Sequence, residues 1–255
     1  MTKKNINLEK SSGVARITLA RPKHNVFDIT MMEELNLEFE ILLADDSLKC
    51  VTIFGEGPSW CAGLEVADHK PESVHQMIET FNRIFLLMNL IEVPLIAAVH
   101  GFCLGGGMEV AIACDTIVAT KSAAFGQPEI KIGFFPPYAA IRLPQLVGPA
   151  KAVEICTTGK RYTAQEALQM GFVSYVVDDD QLNASVDKLV GEISVLSPLI
   201  IRLNKRAVKR HLNFRFPESM EKVSDLFLNT LMKTEDTLEG IASFEGKRKA
   251  QWKNR

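Results

Sequence analysis

An α/β body with a helical tail is the fold class the chain predicts, on three observations. Short apolar runs alternate with helical stretches over roughly the first 180 residues. Those runs are rich in Ile, Val and Ala, as strands buried on both faces are. From Asp180 on, the pattern is helical nearly to the end.

Taken in order, residues 14–20 alternate like a strand, and Arg21-Pro22-Lys23 stops them. Residues 28–44 space Met32, Leu35, Phe39 and Leu42 as a helix does. Residues 50–54 form a strand closed by Gly55-Glu56-Gly57-Pro58, and residues 59–71 read as irregular. A helix over 73–90 breaks before Pro94. Residues 94–99 are a buried strand with a turn at Gly101. Gly105-Gly106-Gly107 then opens an apolar helix through Ala113. A strand follows at 116–120, and short helices at 149–158 and 163–170. Thr163 and Glu166 have capping-box spacing, and Gly171 ends the second helix. Residues 173–177 are a strand, and 197–211 and 217–232 are tail helices. No linker or low-complexity stretch is evident. The chain divides into a core, 1–195, and a helical region, 196–255. The tail's apolar stripe (Val223, Leu226, Phe227, Leu231) is thin, so it packs on its own body or on a neighbouring subunit.

Composition narrows the function classes. The 255 residues are 47% hydrophobic and 24% charged, as in a soluble globular protein. A net charge of −2 argues against a broad basic footprint for nucleic acid. No apolar run approaches the roughly 18 residues of a membrane span. The first ten residues lack the apolar core of a signal peptide. Five scattered cysteines without a CxxC pair read as reduced thiols, which points to the cytoplasm.

Chemistry concentrates in residues 94–142. Three consecutive glycines let backbone approach a ligand closely, and the first amides of a helix have no intrahelical partner. The spacing lacks a dinucleotide fingerprint and there is no GxxxxGK[ST], so a tight strand-to-helix connection also explains them. Glu109 lies in an otherwise apolar helix, where burial raises a carboxyl's pKa and suits it to proton transfer. Glu129 follows Pro128, which biases Gln127 to an extended form. Glu65 and Asp68 lie in the irregular segment 59–71. His24, His69, His75, His100 and His211 show no metal spacing, and His100 reads as a hydrogen-bonded core residue. The absence of GxSxG leaves no acyl-enzyme candidate of that type. Lys247-Arg248-Lys249 and Lys253 form a solvated face or meet a phosphate-bearing ligand.

Three segments together resemble the crotonase (enoyl-CoA hydratase/isomerase) superfamily, with the match running from about Gly13 onward. They are Ser59-Trp60-Cys61-Ala62-Gly63-Leu64, Phe102 through Glu109, and Phe125-Gly126-Gln127-Pro128-Glu129-Ile130-Lys131-Ile132-Gly133. The resemblance implies a spiral of ββα turns followed by a C-terminal helical oligomerisation region. It implies a homotrimer or a dimer of trimers. Its oxyanion hole falls on the backbone N–H groups of Leu64 and Gly106, and its two hydratase glutamates on Glu109 and Glu129. Coenzyme A would run along Lys23, Asn25, Val26, Ala62 and Leu64, with Phe244 and Lys247 near the adenosine end. The implied partner is an acyl-CoA thioester, with no nucleic acid or membrane. No cofactor is implied, since coenzyme A belongs to the substrate.

After Glu129 the family's glycine-rich run is replaced by Phe134-Phe135-Pro136-Pro137-Tyr138-Ala139-Ala140-Ile141-Arg142-Leu143. This rebuilds the acyl pocket with Phe134, Phe135 and Tyr138 as walls. The segment around Lys23, the Cys103 before the glycines and the end Glu239-Gly240 through Trp252-Lys253-Asn254-Arg255 resemble the cyclohexa-1,5-diene-1-carbonyl-CoA hydratases of anaerobic benzoyl-CoA breakdown. The expectation is therefore a hydro-lyase adding water to a cyclic dienoyl-CoA. A short-chain enoyl-CoA hydratase or an isomerase is the rival enzyme, and a module binding acyl-CoA or RNA the non-enzymatic one.

Overall fold

A computed structural model of the protein describes residues 5–210 and 216–251. His211, and the Trp252 to Arg255 end used in the resemblance, lie outside the described residues. The elements are β1 (Ile6–Ser11), β2 (Val14–Leu19), α1 (Ile29–Leu43), β3 (Cys50–Gly55), α2 (Val74–Leu90), β4 (Leu95–Val99), β5 (Phe102–Leu104), α3 (Gly106–Ala113), β6 (Thr116–Thr120), β7 (Ala124–Gly126), α4 (Pro137–Val147), α5 (Pro149–Thr158), β8 (Arg161–Thr163), α6 (Ala164–Met170), β9 (Tyr175–Val177), α7 (Leu182–Ser194), α8 (Pro198–Arg210), α9 (Phe216–Asn229) and α10 (Glu235–Glu245).

The larger sheet has the order β1-β2-β3-β4-β6-β9, and a second sheet the order β5-β7-β8. All neighbours in the larger sheet are parallel except β1 with β2. The second layer continues beyond β5 through the parallel bridges Cys61↔Cys103 and Phe27↔Leu64. Four turns of a spiral result: β2–Phe27–α1, β3–Cys61–α2, β4–β5–α3 and β6–β7–α4. Each turn repeats strand, short second-layer segment, helix, as the ββα expectation requires. The main core lies beneath α1 to α6, and a smaller cluster around Phe54, Ile96, Val118 and Val186 is covered by α7.

Local signals place the helices. The Asp28 carboxylate accepts the Met31 N–H (2.8 Å) and starts α1. The Thr163–Glu166 capping box is present, and Gly171 closes α6 with a left-handed backbone. Differences from the sequence reading have simple causes. β1 buries only Ile6 and carries little periodic signal. β5, β7 and β8 are three residues each, too short to show a period. α4 hides behind Pro136-Pro137, yet Pro137 stands at the helix start, where its missing N–H costs nothing. The 59–71 stretch holds a 3-10 turn, Val66–His69, and the last strand covers only Tyr175–Val177.

The tail packs on its own body. α10 lies on the 3-10 helix Pro128–Ile132, and a Cβ at Gly240 would fall 2.1 Å from the Ile132 carbonyl oxygen. The Thr237 hydroxyl donates to the Gly133 carbonyl (3.2 Å), and Lys70 pairs with Glu245 (2.9 Å). α8 is pinned by Lys205, which reaches Asp115 (2.5 Å) and the Val93 carbonyl (2.7 Å). Its outer face leaves Leu199, Ile200 and Leu203 exposed.

Candidate active site

The second layer of the spiral brings the chemistry together. β5 is followed by Gly105, the cap of α3, whose φ of +53° is open to glycine at little cost. Gly106 is the first residue of α3. A Cβ on Gly105 would stand 2.8 Å from Glu129 Oε1, and one on Gly106 would stand 2.6 Å from Leu64 Cγ. The glycines thus bring Leu64, the α3 terminus and Glu129 into contact, which fits the close-approach reading.

Two backbone donors face this point. Phe27 donates to the Gly63 carbonyl (2.9 Å), and Glu65 donates to the Phe27 carbonyl (2.8 Å), leaving the intervening Leu64 N–H on the other side. Gly106 carries an orphan N–H at the positive end of a helix. Among the described residues neither N–H meets an acceptor.

Glu109 is 1% exposed. Its Oε1 accepts the Ala139 N–H at 2.8 Å, and the Tyr138 amide adds to that hold. The start of α4 therefore cradles the carboxylate, a use of helix termini suited to anions. Burial pushes its pKa up to about 7, and the amides pull partly back.

Glu129 sits half-buried in the 3-10 helix Pro128–Ile132. Burial, then the nearby charge of Glu109, hold its carboxyl well above the usual range. Gln127 is fully buried; with its amide nitrogen turned to the carboxylate, it donates to both Glu129 oxygens at 3.1 and 3.2 Å. The two acids sense one another, so their protons are shared as a unit. The pair can hold one carboxylate and one acid near neutral pH, beside two donors able to grip an oxyanion.

The sequence reading missed Gln127 and Ala139 as partners of the acids. Gln127 was readable only as the residue before a proline. A polar side chain in an otherwise apolar run was the available signal.

The strap Lys23 to Val26 runs beside Ala62, whose N–H donates to the His24 carbonyl (3.0 Å). One expectation is corrected: the Asn25 side chain is buried and turned into the fold. Its amide nitrogen donates to the carbonyls of Glu56 (2.8 Å), Ser59 (2.9 Å) and Trp60 (3.1 Å), so it braces the loop and is not available to a ligand. Phe134 is buried against Phe227, and Phe135 meets Phe227 edge-on. Tyr138 stacks flat on Phe85 at 3.9 Å. Phe244 and Lys247 line a cleft of about 750 Å³ with Lys131, Thr157 and Thr158. Its lining also includes Ile130, the residue after Glu129. Glu65 pairs with Arg21, and Asp68 accepts the Ile29 N–H, so these acids tie the loop. His100 is half-buried and bonds the Gly57 carbonyl (2.9 Å). All five cysteines are free, and all but Cys156 are buried. Among the described residues no helix is long and apolar enough to cross a membrane.

Fold and site together set two main-chain N–H groups without acceptors beside two glutamates that sense one another. The sequence matches the enoyl-CoA hydratase/isomerase family over residues 9–255, and the chain belongs to that family. It is 33% identical to cyclohexa-1,5-dienecarbonyl-CoA hydratase of Thauera aromatica over 248 residues, 97% of this chain and 96% of that protein. It is 34% identical to crotonyl-CoA hydratase of Syntrophomonas wolfei over 258 residues, 99% of each chain. A crystal structure of an enoyl-CoA hydratase from Mycobacterium avium subsp. paratuberculosis superposes with a TM-score of 0.88 at 25% identity, covering 98% of this chain and 99% of that one. The chain is an enzyme of the hydro-lyase kind for which these relatives are named.

Proposed function

We propose that the protein adds water to a cyclic dienoyl-CoA, converting cyclohexa-1,5-diene-1-carbonyl-CoA to 6-hydroxycyclohex-1-ene-1-carbonyl-CoA. The observation that carries the hydration step is the placement of buried Glu109 and half-buried Glu129 beside the free N–H groups of Leu64 and Gly106. The two amides hold the thioester oxygen as charge moves onto it. Loss of one such donor typically costs on the order of 100- to 1000-fold in rate. Glu109, kept ionisable by the α4 amides, takes a proton from water as its oxygen bonds the β carbon. The C=C electrons move toward the thioester, giving a dienolate. Glu129 then delivers its proton to the far end of that dienolate, a 1,4-addition. The thioester is the electron sink, so the reading calls on no metal or redox cofactor.

The ring-shaped acyl group is supported by the aromatic run from Phe134 to Tyr138 and by the Thauera relative. Coenzyme A would follow Lys23, Val26, Ala62 and Leu64 toward the cleft at Phe244 and Lys247. The exposed Leu199, Ile200 and Leu203 of α8 support association of copies as a trimer or dimer of trimers. The scattered free cysteines support a reducing, cytoplasmic setting.

A short-chain enoyl-CoA hydratase is the second reading, favoured by the equally similar crotonyl-CoA hydratase. Turnover of crotonyl-CoA beside the cyclic dienoyl-CoA, with the product identified, tests both. A kcat/KM at least about tenfold higher for the cyclic substrate is expected, a difference of about 1.4 kcal/mol in transition-state binding. The reverse preference would establish the second reading.

A further inference from the structure

The Glu239-Gly240 pair stands out in the sequence, and the hydration step does not use it. It lies in the middle of α10, which packs against the 3-10 helix carrying Glu129. Two glycines meet there. Gly240 is buried, and a Cβ on it would fall 2.1 Å from the Ile132 carbonyl oxygen and 3.2 Å from the Gly133 nitrogen. Gly133 ends the 3-10 helix at a φ of +82°, and a Cβ on it would fall 3.1 Å from the Asp236 carbonyl oxygen. Each main chain thus occupies the space where the other's side chain would begin. One turn earlier on the same face of α10, the Thr237 hydroxyl lies 3.2 Å from the Gly133 carbonyl and 3.0 Å from the Leu231 carbonyl.

The contact reaches the acid within a few bonds. The Gly133 N–H closes onto the Glu129 and Ile130 carbonyls, and the Phe134 N–H donates to the Glu129 carbonyl at 3.0 Å. On its other side, Glu129 Oε1 stands 2.8 Å from where a Cβ on Gly105 would be. Glu129 is therefore held between the glycine loop before α3 and a turn backed by α10. That turn is weak by itself. It is five residues long, has no side-chain cap, and none of its residues is fully buried. A 3-10 helix also has poorer hydrogen-bond geometry than an α-helix. What stands behind it sets its position.

We propose that Gly240, helped by the Thr237 hydroxyl, is a positioning residue for hydration: the bare backbone of α10 seats the Pro128–Ile132 turn so that the Glu129 carboxyl stands beside Gly105 and within reach of the reacting carbon. The proposal rests on the reading of Glu129 as proton donor. Non-bonded heavy atoms sit best at about 3.5 Å, so a methyl at position 240 forces helix and turn apart by on the order of 1 Å. A misplacement of that size costs on the order of 100-fold in rate. A displaced Glu129 also gains water and distance from Glu109, and both help it to lose its proton.

The test follows hydration of crotonyl-CoA and of the cyclic dienoyl-CoA, each beside the pantetheine thioester of the same acyl group, which lacks the nucleotide end that would reach the cleft. Gly240→Ala is expected to lower kcat by about 10- to 100-fold on both kinds of thioester. It is also expected to move the alkaline limb of the rate profile down. Lost packing alone would lower the active fraction and leave that limb in place. Thr237→Val is expected to lower kcat about fivefold, the effect of about one hydrogen bond, and Thr237→Ser to restore it. A folded Gly240→Ala whose limb is unmoved, or which is slowed only on the CoA thioesters, overturns the proposal. If Gly240→Ala does not fold, equal kcat in Thr237→Val, Thr237→Ser and the unaltered protein overturns it. Glu129→Gln keeps the two readings apart. Near-normal rates there refute the acid assignment, and this inference with it, whereas a slow Glu129→Gln beside a normal Gly240→Ala overturns this inference alone. No turnover by the unaltered protein overturns the hydratase reading and with it this inference.

Discussion

The corner where α3 meets α4 and the 3-10 turn before Phe134 each hold one carboxylate, by different means. At the corner, Glu109 is sealed in and met by the amides of Tyr138 and Ala139 at a helix start. On the turn, Glu129 keeps some exposure and leans on one side-chain amide, that of Gln127. Main-chain donors at a helix terminus are fixed by the fold and favour the ionised form. Repulsion from Glu109 acts on Glu129 in the opposite sense. The difference teaches how two chemically identical groups come to hold their protons unequally: one seat favours the ionised form, the other the protonated one.

The strongest way to break this comparison is to neutralise each acid. Glu109→Gln and Glu129→Gln should each lower kcat by about 100- to 10000-fold with the fold intact, as general acid–base groups do. Measured hydration of crotonyl-CoA and of the cyclic dienoyl-CoA checks this, and near-normal rates in both variants would refute the assignments. Gln127→Met sharpens the contrast. It removes donors from the ionised form of Glu129, so that acid keeps its proton to higher pH. We expect kcat to fall about tenfold, the size of one hydrogen bond, and the alkaline limb of the rate profile to move up. An unmoved limb would show that Gln127 only fills space.

The pH profile of the unaltered protein is the next test. With Glu109 as base and a pKa of about 7, kcat/KM should fall as pH drops below that value. A second fall at higher pH follows when Glu129 loses its proton, giving a bell whose two limbs belong to the pair. Activity that holds constant down to pH 5 would contradict the raised pKa.

The smallest effect is on stability. The folded pKa of Glu109 lies above its unfolded value of 4.5. The folded state therefore binds the proton more tightly, and stability falls as pH rises from about 4.5 to about 7, then levels. The loss is on the order of a few kcal/mol. Glu109→Gln should raise the melting temperature at pH 7.5 by about 5 °C and much less at pH 4.5. Equal shifts at both pH values would place the gain elsewhere.

Much of this was legible before any coordinates. Thr163 and Glu166 announced a helix start because capping is decided within one turn. Glu109 stood out because an acid in an apolar helix is costly. The short second-layer strands were not legible, since three residues carry no period and are held by neighbours distant in sequence. Asn25 was misjudged for a related reason. Position within the Lys23–Val26 strap does not reveal that its amide is already spent on three carbonyls of residues 56–60.

By itself the sequence determined the alternation of strand and helix, the glycine approach at residues 105–107 and the identity of both acids. These follow from local periodicity, backbone freedom and the cost of burying charge. Tertiary structure alone decided which donors each acid meets and that α10 returns to its own body. Those outcomes depend on contacts between segments far apart in the chain, whose meeting is set by how the whole spiral packs.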